Sequence, residues 1–199
     1  MAHKKTVAVA TPLENETKER YSNAMKKQTV FKFIAASLLG TFFFSANIAS
    51  AAKGDPRSLG TYKDWSAYAW VESGQKVCYI LSRPTKSLPK NVKRGDIYLM
   101  VTYRPKSRSK EEVSHVTGYT YKNKSTVELA IGKRKFKLAT DNDVAWVPEG
   151  ESDAKLIKAM RGGSKVSLKG TSSRGTLTTD SYSLQGFTAA HKQIRKSCS

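Results

Sequence analysis

Histidine and cysteine are both scarce, with three of the first and two of the second in 199 residues, and one histidine, His3, sits at the extreme N-terminus. No Cys-x-x-Cys spacing occurs, and no His, Cys and Asp cluster has the spacing of metal ligands. No cofactor is therefore expected. The Gly-x-Ser-x-Gly elbow of α/β hydrolases is missing, as is the strand–glycine loop–helix pattern that cradles phosphate. Long apolar runs are absent too. The strongly apolar stretch 33–44 is shorter than the about 20 residues a spanning helix needs. Acid is the charge in short supply, at 16 Asp and Glu against 35 Lys and Arg, a formal +19.

What is present begins with a leader. Lys26, Lys27 and Lys32 precede the uncharged stretch 33–44, and small residues follow as far as Ala49, Ser50 and Ala51. Basic, apolar and Ala-x-Ala regions in that order form a secretory signal, with cleavage expected between Ala51 and Ala52. Counted from Met25, the signal spans 25–51, and 1–24 is an extension whose Met1 competes with Met25 as the start. The mature domain is then 52–199, without a transmembrane helix.

That domain carries 28 Lys and Arg against 13 Asp and Glu, a formal +15. In the cytoplasm such a balance suggests nucleic acid; export to the periplasm or beyond removes that partner. The anionic partners left are envelope or host-surface glycans and lipids, reached by charge steering and membrane-surface association. An envelope protein is the other partner class. Both cysteines, Cys78 and Cys198, fall in the mature part, and an even count in an oxidising compartment favours one disulfide over a pair of reactive thiols.

Most of the mature chain reads as short strands broken by Gly, Pro, Asn and Lys-rich turns: 65–72, 77–82, 97–103, 126–131, 135–139, 144–147, 166–170 and 176–184. Gly132 and Lys133 turn a tight hairpin. Helical patterns cover about 152–161, opened by Ser152 and stopped at Gly162, and about 187–197. The expected class is mostly β, a single β-sandwich or flattened barrel of about eight short strands with two short helices. Segments 84–94 and 104–110 read as mobile loops, the second holding Arg104, Lys106, Arg108 and Lys110.

Several fragments together carry a resemblance. They are Trp65, Cys78, Pro84, Arg94-Gly95-Asp96, Glu112 to Ser114, Gly118-Tyr119, Phe136, Trp146, Ala159 to Gly162, and Cys198. The most specific part lies in 170–187, with Arg174, Gly175, Thr176, Thr178, Asp180, Tyr182, Leu184, Gly186 and Phe187. This pattern resembles the invasion-associated locus B family of alphaproteobacterial exported proteins over nearly all of 60–198. Glu111 and Thr120 stand where Asn and Pro are expected. The resemblance implies a periplasmic or secreted, mostly β domain and supplies no catalytic residues.

The stretch 174–187 is the best candidate for a site. In a strand, Thr176, Thr178, Asp180 and Tyr182 share one face, with Arg174 nearby, and such a row suits a sugar or a phosphate-bearing ligand. The competing reading pairs Asp180 with Arg174 and leaves the threonines as ordinary strand formers. Catalysis is disfavoured: His115 with Ser114 or Ser172 and Asp180 can be drawn as a triad, but so can such a set in most chains. Trp65, Trp70 and Trp146 read as core aromatics sooner than as a ligand groove. The function expected is non-enzymatic binding of an anionic glycan, lipid or host surface; a small periplasmic hydrolase acting on cell-wall or glycan substrates is the alternative.

Overall fold

The computed structural model describes residues 55–199. The expected extension at 1–24 and signal at 25–51 lie outside the described residues. Eleven strands follow one another as β1 (Arg57–Tyr62), β2 (Trp65–Glu72), β3 (Gln75–Ser82), β4 (Lys86–Leu88), β5 (Tyr98–Tyr103), β6 (Glu111–Val116), β7 (Thr126–Ile131), β8 (Arg134–Asp141), β9 (Val144–Trp146), β10 (Lys165–Thr171) and β11 (Leu177–Ser183). Helix α1 (Asp153–Arg161) lies between β9 and β10, and helix α2 (Phe187–Cys198) closes the chain. All eleven strands join one antiparallel sheet in the order β1-β2-β3-β5-β6-β9-β8-β7-β10-β11-β4.

The sheet rolls back on itself without closing. β4, its last strand, begins a few residues after β3 ends, and Trp65 at the start of β2 donates its indole N–H to the Ser183 carbonyl at the end of β11 (3.0 Å). This fits the expected β-sandwich or flattened barrel, with more strands than the eight expected. The extra ones are β1, β4 and β6. Arg57–Tyr62 is polar around a glycine, Lys86–Leu88 is three residues long, and Glu111–Val116 carries a histidine where alternation calls for an apolar residue. The segment read as a mobile loop at 84–94 thus contains an edge strand. The 104–110 loop is closed by Arg104 N–H donating to the Lys110 carbonyl at 2.8 Å.

Alternation along each strand fills the interior. Ala67, Ile80, Val101 and Val113 are register partners across β2, β3, β5 and β6, and all four are fully buried. Helix α2 lays Phe187, Ala190 and Ile194 on this surface, with the Phe187 ring edge-on to Trp65 at 5.0 Å between centroids. A disulfide joins Cys78 in β3 to Cys198 at the end of α2 across 120 residues, their Cα atoms 6.0 Å apart. Helix α1 packs its Leu156, Ile157 and Met160 inward, capped by the Ser152 hydroxyl at the Lys155 amide. Among the described residues no helix is long and apolar enough to cross a membrane.

Candidate functional site

Strand β11 lies between β10 and β4, and its register decides where the candidate residues point. Asp180 is the partner of Leu168, which pairs with Leu129 in turn, so its carboxylate enters an apolar row. Thr178, Asp180 and Tyr182 face the interior and are at most 3% exposed. Arg174 lies exposed in the turn before β11, and Thr176 sits half-buried at its edge. The structure therefore brings three of the five candidates together and leaves two outside. The row of Thr, Asp and Tyr faces inward, and the opposite face of β11 carries Leu177 exposed, Thr179 half-buried and Ser181 buried.

A carboxylate in an apolar row demands a partner. That partner is Arg94, not the expected Arg174. Arg94 leaves the β4–β5 connection and donates Nη1 to Asp180 Oδ1 (2.8 Å) and Nη2 to Oδ2 (2.6 Å), a bidentate pair from 86 residues away. The rest of the guanidinium is also engaged. Nε and Nη2 donate to the Thr117 carbonyl, Nη2 to the Thr117 hydroxyl, and the plane lies over the Tyr119 ring at 5.0 Å. The Tyr119 hydroxyl meets that of Thr178 at 2.6 Å. Gly118 makes this approach possible: its φ of 70° is left-handed, and a Cβ there would stand 2.6 Å from the Gly95 carbonyl oxygen.

His115 occupies the centre. Its Nδ1 lies 2.9 Å from the Tyr121 hydroxyl and its Nε2 2.9 Å from the Tyr182 hydroxyl, with Asp180 Oδ2 at 3.7 Å from Nε2. Burial lowers its pKa to about 4, with Arg94 adding to the drop and Asp180 opposing it. Burial likewise pushes the Tyr121 and Tyr182 phenols well above their usual value. At neutral pH the ring is uncharged and its two nitrogens are spoken for. Ser114, the neighbour of His115 in β6, projects to the other face of the sheet, and the Ser172 hydroxyl accepts from the Thr176 amide. The sequence triad is thus half assembled, His115 with Asp180, but it lacks a nucleophile in place.

The second described histidine is equally committed. His191 Nδ1 lies 3.0 Å from Arg161 Nη2, which donates, so Nε2 carries the proton and donates to Glu111 Oε1 at 2.9 Å. Arg195 donates to the same oxygen, and His191 above all holds the Glu111 carboxyl below its ordinary range. Of the tryptophans, Trp65 is a core residue as expected, while Trp70 and Trp146 are half-buried. No group of three or more metal-ligating side chains occurs among the described residues. Sequence reasoning did not single out Arg94, Thr117 or Tyr121 as members of a site. No spacing joins them to Asp180, and only the Arg94-Gly95-Asp96 motif pointed to one of them.

A family model described as "Invasion associated locus B (IalB) protein" matches residues 65–195. The crystal structure of invasion associated protein B from Bartonella henselae aligns with a TM-score of 0.50 at 17% identity, over 69% of this chain and 95% of that one. Identity so low bears on the fold alone. No curated protein matches the chain.

Proposed function

This chain belongs to the invasion associated locus B family, and on that premise we propose that it is an exported protein of the cell envelope or its surroundings that acts by binding and not by turnover. The partner in this reading is an anionic glycan, lipid or host surface. Residues 25–51 are its signal peptide and 52–199 the working domain.

The observation that carries the reading is how charge is distributed between interior and surface. Asp180 and Glu111 are held inside by Arg94, His191 and Arg195, and Glu72 is held by Arg104. Lysines at 133, 137, 165, 169 and 192 stand exposed. Each of these acids is matched by an arginine, so the cation excess of the composition is left to the outer surface, which favours encounter with anionic surfaces. The groups that a hydrolase would need, His115 and Asp180, are sealed beneath tyrosines.

The test is a salt series with the protein recovered after export, oxidised, against immobilised envelope glycans, lipids and lipopolysaccharide. Saturable binding that survives about 0.15 M salt, where charges separate beyond a Debye length of about 8 Å, is the expected result. Binding that vanishes there means charge only steers, and an N-terminus at Met1 in the recovered protein counts against export.

A further inference from the structure

The interior row of β11 has an outward counterpart. Register places Lys135, Ala130, Ser167, Ser181 and Lys86 in one line across β8, β7, β10, β11 and β4. The line spans roughly 19 Å at about 4.8 Å per strand. Its three middle side chains are small, so the sheet surface sinks there between larger neighbours. Above it the chain leaving α1 forms a wall. Gly163 lies so close to β7 that a Cβ would stand 2.5 Å from Ile131 Cγ2, which keeps this turn down against the sheet.

The result is a depression of about 660 Å³ floored by Ala130, Ser167 and Ser181 and rimmed by Lys133, Arg134 and Lys165. Arg134 is oriented by donating to the Ala159 carbonyl at the end of α1 (3.5 Å). The lining contains no carboxylate. The acid nearest in register, Glu128, is already held by Lys135 at 3.0 Å. Cations without a local counter-charge, around a floor that offers hydroxyls, make a site for oxyanions.

We propose that this groove binds the phosphate or sulfate groups of an acidic glycan. The proposal rests on the binding reading above and gives it a location and a ligand chemistry. A glycan fits better than a membrane surface. The contact is recessed and polar, and the large apolar residue in its lining, Ile131, is 3% exposed and offers nothing for a bilayer to take up. No aromatic ring lines it either, so recognition falls to charge and hydroxyls, not to stacking.

The experiment uses the oxidised protein purified from the full chain, with heparin and a phosphorylated polysaccharide as probes at about 0.15 M salt. The double variant Lys133→Gln/Lys165→Gln removes two exposed rim charges; Lys106→Gln/Arg108→Gln removes two from the exposed 104–110 loop. Loss of about tenfold or more in affinity for the first pair, with about twofold or less for the second, is expected when charge-assisted contacts are specific. Equal losses in both pairs overturn the groove and leave only diffuse charge. Tighter binding to anionic phospholipid vesicles than to either polysaccharide overturns the glycan assignment. No binding of the unmodified protein to any of these probes overturns the underlying reading itself.

Discussion

Single side chains inside this protein carry unequal loads, and Asp180 and Arg174 make the contrast plain. Removing the carboxylate in Asp180→Ala leaves Arg94, 6% exposed, without its bidentate partner. A buried charge so stranded costs about 3–5 kcal/mol, whereas the exposed Arg174→Ala should stay within about 0.5 kcal/mol of the parent. Urea denaturation of the two variants reads the difference, and equal costs would sink the assignment of Arg94 as the partner. His115 adds a pH dependence. Its folded pKa of about 4 lies below the 6.5 of the open chain. Its contribution is whole above pH 6.5 and is lost as pH falls toward 4, to the extent of roughly 3 kcal/mol. Asp153 titrates in the opposite sense. Burial raises it to about 6 from 3.8, so the strain of its charge is relieved as pH falls through 6. The curve of interest is therefore parent minus His115→Gln between pH 7 and 4, and a flat difference refutes the assignment. Asp180 was legible as a residue of interest because its motif is specific. Its partner was not, because an ion pair that spans 86 residues leaves no local pattern.

Elements dock through backbone contacts that substitutions report. Helix α2 begins at Gly186, where φ is 87° and a Cβ would fall 1.8 Å from the Tyr62 carbonyl oxygen. Gly186→Ala must push α2 away from the β1–β2 turn, at a cost of more than about 2 kcal/mol. Gly175 has a similar φ of 83° but open space around it, so Gly175→Ala carries only the backbone strain, about 1–2 kcal/mol. Thermal or urea midpoints rank the pair, and the reverse order would be inconsistent with this packing. The helix bounds were readable because Ser152 and Gly162 punctuate α1 and an apolar stripe runs along α2. Strand β6 was not. Its inward positions are Glu111, Val113 and His115, and two of the three are polar residues whose partners come from α2, β11 and the segment after β6.

The whole molecule is tied from β3 to its C-terminus by Cys78–Cys198. In the chain-entropy view a closed loop of that length is worth up to about 4–5 kcal/mol. Reduction, or Cys78→Ser with Cys198→Ser, should lower unfolding stability toward that figure, and denaturation of oxidised against reduced protein measures it. An unchanged midpoint would mean that α2 holds by packing alone. The sequence by itself determined the basic balance, the cysteine pair and the β-rich class, because each is written in composition or in short-range periodicity. It also marked β11 as the strand with the most specific residues. Which face of β11 turns inward was decided only by the tertiary structure. Alternation assigns residues to two faces but does not say which meets the core. Here register with Leu129 and Leu168 and the distant guanidinium of Arg94 drew Asp180 inward and left Leu177, on the opposite face, at the surface.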